Sequence, residues 1–254
     1  MRFFLIAFLS LLALSCIFAP YIAKKSPYEQ NISEILSPPS PQHPFGTDQL
    51  GRDLFSRVLY GGRITFLIST LSAILSLFLG TAVGILSGYK GGLVDIIIMR
   101  ILDGIYSFPD LLIIIILTVL LGRKPIGIVL SLSLTTWVVV ARIVRGEVMR
   151  LKSLEMIESG IALGAGPLRI IFLYIIPNLK NVLITLFIIR IPGAILSESV
   201  LSFLGLGLSP PSASWGILVN EGWSLLFFAP HLVIFPSIFI FITVFSLYLL
   251  GKSL

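Results

Sequence analysis

Residues Phe66–Gly88 read FLISTLSAILSLFLGTAVGILSG and contain no charged side chain. A run of about twenty apolar residues is what a helix needs to cross roughly 30 Å of hydrocarbon. Five further apolar runs of similar length lie at Phe3–Ala23, Ile96–Leu121, Ile126–Val144, Val182–Gly207 and Pro230–Gly251. In lipid an isolated segment satisfies its own backbone only as a helix. The reading is an all-α membrane protein with six transmembrane helices. Composition agrees: the 254 residues are 56% hydrophobic and 12% charged, with a mean hydropathy of +1.04. A soluble domain carries about 25% charged residues. Disorder and a single soluble globular domain are both excluded.

The first run, Phe3–Ala23, is too long for a secretory signal and continues well past Cys16, so it reads as an uncleaved helix. The chain then divides into a first helix at 1–25, an extracytoplasmic segment at 26–65 with an amphipathic end, and a five-helix core at 66–254. Orientation follows from the Lys and Arg flanking the spans. One side holds nine (Arg2, Lys90, Arg142, Arg145, Arg150, Lys152, Arg169, Lys180 and Lys252). The other holds seven (Lys24, Lys25, Arg52, Arg57, Arg63, Arg123 and Lys124). The densest cluster, 142–180, shares the side of Arg2, which places both termini in the cytoplasm. The net charge of +6 is thereby a membrane-insertion signal, and no nucleic-acid partner is expected. One cysteine and two distant histidines, His43 and His231, allow no internal disulfide and no metal cage. No internal repeat supports an inverted-repeat secondary transporter.

Two spans carry charge. The third contains Arg100, Asp103 and Asp110, within about 80° of one another on a helical wheel, with Arg100 and Asp103 spaced to pair. The fifth contains Arg190, Pro192, Gly193 and Glu198, and its proline is expected to bend or break it. A charge at the bilayer centre costs roughly 2.5–3.5 kcal/mol, so these side chains face protein, water or the interface. A translocation path and structural ion pairs both fit. No nucleophile–base set or metal motif marks an enzyme, so no catalytic residue is assigned.

Residues 145–180 form the longest stretch on the basic side. Leu151, Leu154, Ile157 and Ile161 make an apolar helical face over Leu151–Leu163, with Glu155 and Glu158 beside it. Gly164 fits a helix C-cap. Gly166-Pro167 starts a second helix that continues to Pro177.

Glu158-Ser159-Gly160, then Gly164, then Ile176-Pro177 resembles the EAA loop of ABC importer permeases, with Ser-Gly in place of Ala-Ala and Ile in place of Leu. Further motifs resemble one subgroup. These are His43-Pro44-Phe45-Gly46-Thr47-Asp48, Gly51-Arg52-Asp53 with Ser56-Arg57, and Gly88-Tyr89-Lys90-Gly91-Gly92 followed by Asp95, Arg100 and Asp103. Ala141-Arg142, Val144-Arg145-Gly146, Leu201–Gly207, Pro210-Pro211 and Trp215-Gly216 complete the series, in order, over about 43–222. Together they resemble the second permease subunit of dipeptide, oligopeptide and nickel ABC importers. Within that family the chain begins almost in its first span, where relatives often carry a cytoplasmic lead.

The resemblance implies a type I permease fold and a set of partners: a second permease, two cytoplasmic ATPase subunits and an extracytoplasmic solute-binding protein. It implies an ATPase-coupling role for Glu155, Glu158, Ser159, Gly160, Ala162, Leu163, Gly164, Ala165 and Pro177. It also marks Gly46, Thr47, Asp48, Gly51, Arg52 and Asp53 as an extracytoplasmic family motif. The chain has no Gly-rich phosphate loop ending in Lys-Ser or Lys-Thr, so ATP and magnesium belong to the ATPase partners and no cofactor is expected here. A stand-alone channel or secondary transporter is the remote alternative. A short peptide is favoured over nickel, because nickel prefers imidazole and thiolate and the spans offer almost none. Arg100, Asp103, Asp110, Arg190 and Glu198 are the candidates to line the path.

Overall fold

The computed structural model describes residues 2–253. The side chain of Ile161, expected on the apolar face above, lies outside the described residues. The first apolar run folds as α1 (Arg2–Ile17) and the short α2 (Ala19–Ile22), and a 3₁₀ turn follows at Ile32–Glu34. The remaining elements are α3 (Leu54–Lys90), α4 (Gly92–Tyr106), α5 (Asp110–Leu121), α6 (Pro125–Lys152), α7 (Glu155–Ala162), α8 (Pro167–Ile170), α9 (Ile176–Phe203), α10 (Trp215–Trp223) and α11 (His231–Lys252). A π-helical turn at Ile171–Ile175 joins α8 to α9, so one helix runs from Pro167 to Phe203. Among the described residues, four helices are long and apolar enough to cross a membrane: α3, α6, the α8–α9 helix and α11. They become five if α4 and α5 count as one span. α1, at 16 residues, is shorter than the roughly twenty residues a straight span needs.

Prolines decide where the spans differ from expectation. The run at 96–121 is not one helix: α4 and α5 meet at a bend of 86°. Pro109 supplies no N–H, its ring disfavours helical backbone at Phe108, and α5 starts afresh at Asp110. The wheel that grouped Asp110 with Arg100 and Asp103 therefore does not hold across the bend. Pro192, by contrast, does not break its span. It is buried inside α9 beside buried Ile191, Ala194 and Ile195, and the helix continues to Phe203. Nor does Pro177 end a helix. The wider π turn just before it accommodates a residue that cannot donate to the turn behind.

Close packing sets the core. α3 presents Gly80, Gly84 and Gly88, one per turn, to Val140, Val144 and Val148 of α6. A Cβ at Gly80 would lie 2.5 Å from Val140 Cβ, and one at Gly88 would lie 2.8 Å from the Arg145 carbonyl oxygen. Small residues let helix backbones approach where lipid supplies no hydrophobic drive between helices. At the opposite end of α3, Trp215 is fully buried and its indole N–H donates to the Val58 carbonyl at 2.8 Å. Its ring fills the space over Gly62 beside Cys16 of α1, joining α1, α3, α10 and α11 in one cluster.

The helices alternate between two ends. The loop end gathers the start of α1, the end of α3, the end of α6, α7, α8 and the end of α11. There the Arg2 guanidinium donates to the Ser253 hydroxyl at 3.4 Å. The motif end gathers residues 26–57, α10 and the start of α11, where His231 Nε2 is 3.4 Å from the Thr47 carbonyl.

Candidate functional site

The loop end is built around α7. Its helix is shorter than the Leu151–Leu163 expected from spacing. α6 extends to Lys152 and takes Leu151 with it, and Ser153 then caps α6, its hydroxyl donating back to the Arg150 carbonyl at 2.9 Å. Such back-bonding competes with helix continuation, and α7 begins at Glu155. Ile157 and Gly160 face inward and are buried. A Cβ at Gly160 would lie 3.2 Å from Ile170 Cδ1 and 3.8 Å from the Tyr174 ring, which is why this place in the motif takes a small residue. Glu155, Glu158, Ser159, Ala162, Leu163 and Gly164 are exposed and Ala165 is half-buried. Gly164 has φ +82°, and Ala165 N–H donates to the Gly160 carbonyl at 3.0 Å, the six-to-one bond of a Schellman cap. The chain then turns into α8, where Leu168 joins Leu163 as an outward apolar side chain. Pro177, the last motif position, lies inside the long helix near the start of α9.

Behind α7, one ion pair and the hydrogen bonds beside it join α3, α4 and α6. The Arg145 guanidinium of α6 donates to both carboxylate oxygens of Asp95 at the start of α4, and the Ser87 hydroxyl of α3 donates to the same carboxylate. Lys152 Nζ donates to the Tyr89 carbonyl at 2.6 Å. Asp95 and Arg145 stand in the family motifs, but only the fold reveals that they meet.

At the motif end, Gly46 (φ +80°) and Gly51 (φ +66°) turn the chain so that Thr47 and Asp53 form an antiparallel bridge. A Cβ on Gly51 would fall 1.8 Å from the Asn31 carbonyl oxygen. The Thr47 hydroxyl accepts from Ser37 N–H at 2.8 Å. Asp53 caps α3, accepting from Ser56 N–H at 2.8 Å and the Ser56 hydroxyl at 2.7 Å. Asp48 accepts from Arg52 Nε at 2.6 Å and Arg57 Nη1 at 2.7 Å. Arg57, 3% exposed, also donates to Glu221 of α10, and Gln49 Nε2 donates to the Glu221 carbonyl at 2.6 Å. Glu221 carried no signal in the sequence, being remote in the chain from both arginines. His43 belongs to this end as well, its Nδ1 2.8 Å from Asp53 Oδ1 and its Nε2 3.1 Å from Glu34 Oε2. The hydrogen bond from His43 holds the Glu34 carboxyl below its ordinary range, with Asn31 and Lys25 adding to the effect.

The charged positions of the spans do not converge on one point. Asp103 does not pair with Arg100. It pairs with Arg142 of α6 at 2.7 Å, and that guanidinium also lies 4.7 Å over the Tyr106 ring. Packing against α6 brings a cation to the exposed side of α4, which outcompetes the local spacing. Among the described residues no ion pair includes Arg100, which is exposed, and Asp110 is exposed in the first turn of α5. Arg190 is half-buried with its Nε unpartnered. Glu198 is 1% exposed between α9 and the start of α10. Its Oε1 accepts from Ser202 at 2.7 Å and from Ser214 at 2.6 Å.

Comparison with known proteins completes the description. Residues 80–254 match the family described as "Binding-protein-dependent transport system inner membrane component". The dipeptide transport system permease protein DppC of Bacillus subtilis (strain 168) is 39% identical over 259 aligned residues, covering 99% of this chain and 78% of the relative. The oligopeptide transport system permease protein OppC of the same organism is 39% identical over 244 residues, covering 96% and 80%. The glutathione transport system permease protein GsiD of Pectobacterium atrosepticum is 40% identical over 216 residues, covering 85% and 72%. With its apolar helical core and this similarity along nearly its whole length, the chain belongs to the inner-membrane permeases of binding-protein-dependent transport systems and has the type I ABC importer permease fold.

Proposed function

We propose that this chain is one of two permease subunits of an ATP-driven importer that carries di- and oligopeptides delivered by a solute-binding protein. The observation that carries the reading is similarity over nearly the whole chain to a permease named for dipeptide transport. Relatives named for oligopeptide and glutathione transport favour a peptide cargo over nickel. On this reading the second permease completes the translocation path and two ATPase subunits consume ATP and magnesium. The exposed face of α7, with Glu155, Glu158, Ser159, Ala162 and Leu163, docks on one ATPase. The Gly164 cap fixes the angle at which α7 is presented. Closure of the ATPases would push α7, and the Asp95–Arg145 tie would carry that push into α4 and α6.

Six spans then require α1–α2 as the first and the bent α4–α5 pair as the third. The basic residues of 142–180 put the loop end and both termini in the cytoplasm. The motif end faces outward, toward the binding protein. A broken helix at membrane depth is tolerated against protein or a water-filled cavity, and the exposed Asp103, Tyr106 and Asp110 around the bend suit such a cavity between the two permeases. The test is uptake by the whole reconstituted importer with its own binding protein. ATP-dependent, saturable uptake of a labelled dipeptide is expected. Saturable uptake of nickel or a nickel chelate, without competition from di- to pentapeptides, would overturn the peptide assignment.

A further inference from the structure

His43 receives incompatible demands on one ring nitrogen. The ring is 4% exposed, and Nδ1 lies 2.8 Å from Asp53 Oδ1. A carboxylate only accepts, so Nδ1 carries a hydrogen whether the ring is neutral or charged. Nε2 lies 2.8 Å from Lys25 Nζ and 3.1 Å from Glu34 Oε2. An ammonium only donates and a carboxylate only accepts. A neutral ring therefore accepts from Lys25, a protonated ring donates to Glu34, and neither form serves both partners. We propose that His43 is a proton-operated switch, tying the outer end of the first helix to the motif segment when neutral and releasing it when protonated.

The surroundings allow the exchange without rebuilding the fold. A cavity of about 140 Å³, lined by Lys25, Glu29, Asn31, Glu34, His43 and Asp53, adjoins the ring. The Glu34 side chain is 40% exposed, so water reaches the cluster. The charged groups facing it are Lys24, Lys25 and Glu29 after α2, Glu34 in the 3₁₀ turn and Asp53 capping α3. His231 of α11 sits nearby against Gly46. On acidification a proton from water binds Nε2, the N–H so formed donates to the Glu34 carboxylate, and the Lys25 ammonium keeps its three hydrogens and swings to solvent. The Asp53 bond persists in both forms, so the cap of α3 is undisturbed. What changes is the anchorage of Lys25, which follows α2, while α1 remains packed through Cys16 beside Trp215.

The signs are separable. Glu34 stabilises the imidazolium, so removing its charge weakens the released state. Lys25 opposes the imidazolium, so removing its charge strengthens it. The experiment uses the assembled importer in lipid nanodiscs, with a nitroxide on Ser26→Cys as the reporter, Cys16 being buried. Label mobility is expected to rise with one midpoint as pH falls from 8 to 5. Glu34→Gln is expected to move the midpoint to lower pH by about tenfold in proton concentration, and Lys25→Met, which has no ammonium to anchor, is expected to be mobile across the whole range. Both side chains are partly exposed, so both variants fold. Native mobility that stays flat across the range, a Glu34→Gln midpoint that stays put or rises, or a Lys25→Met label as immobile at pH 8 as the native one would overturn the switch. No transport is needed for the readout, so it stands apart from the peptide assignment.

Discussion

Replacing Gly84 by alanine tests the seam between α3 and α6. The added Cβ would sit 2.7 Å from the Ala141 carbonyl oxygen and 2.8 Å from Val144 Cβ. Ordinary contact begins at 3.4 Å, so the seam is short by about 0.7 Å at a backbone atom that cannot rotate away. Val144 gives little relief, since a β-branched side chain in a helix has essentially one rotamer. The helices must part, and a gap of about 0.5–1 Å forfeits a quarter to a half of each dispersion contact along the seam. Overpacking of this kind costs about 1–3 kcal/mol. Alanine's helix preference over glycine returns roughly 0.8–1.0 kcal/mol. The net expectation is a loss of up to about 2 kcal/mol, a factor of up to about 30 in the folding equilibrium, and a loss of about 1–3 kcal/mol against a glycine-to-alanine change that meets no neighbour. Gly104→Ala is the control, because its Cβ would meet no heavy atom within 4 Å; it should be neutral or stabilising. The assay is reversible unfolding of the purified permease pair in mixed micelles, titrated with dodecyl sulfate. A Gly84→Ala protein as stable as Gly104→Ala, or more stable, would refute the packing argument.

Gly164→Pro forces φ near −65° where the chain holds +82°. It should leave the complex assembled but cut substrate-stimulated ATP hydrolysis at least about tenfold; unchanged hydrolysis would count against α7 as the coupling element. Asp95→Asn leaves Arg145 without its carboxylate and should cost about 1–3 kcal/mol, measured as a lowered Tm. A double-mutant cycle with Arg145→Gln should show the pair to be strongly non-additive. Once His43 is protonated its hydrogen bond holds the Glu34 carboxyl below its ordinary range, and that stabilising effect is lost as pH falls further, through the lower folded value. Hydrogen exchange of residues 31–53 should therefore accelerate below about pH 4 in the native chain and show no such step in Glu34→Gln. Single cysteines at Ser153 and Ser26, both exposed, should label from opposite faces of the membrane, the first from the cytoplasm.

Legibility in the sequence followed which force decided each feature. Hydropathy located the interiors of α3, α6 and α11, because the need to cross hydrocarbon writes itself into every residue of a run. It missed how far α3 extends toward Leu54, because Arg57 is buried only by virtue of Asp48 and Glu221. Pro109 and Pro192 show the same limit. Pro109 sits among exposed residues and the helix breaks there, whereas Pro192 is held by buried neighbours and the helix survives. Proline sets a local cost, and packing decides whether it is met. Spacing suggested Arg100 as the partner of Asp103, but the fold supplied Arg142 from another helix. In the loop, Gly164 was readable because a left-handed cap admits few residues. The boundary at Ser153 was not, since it depends on one side-chain hydrogen bond.

The helix from Pro167 to Phe203 is 37 residues long, a rod of about 55 Å. At one end it meets α7 through Ile170 beneath Gly160. Toward the other, Glu198 grips the Ser214 hydroxyl at the start of α10, and α10 in turn is held through Glu221 to Arg57 and thence to Asp48. The loop end and the motif end are thus linked by one continuous helix with a polar clasp toward its motif end. On the coupling proposed above, such a rod would transmit tilt rather than stretch, and a small rotation at α7 would be matched by a displacement of α10 at the motif end.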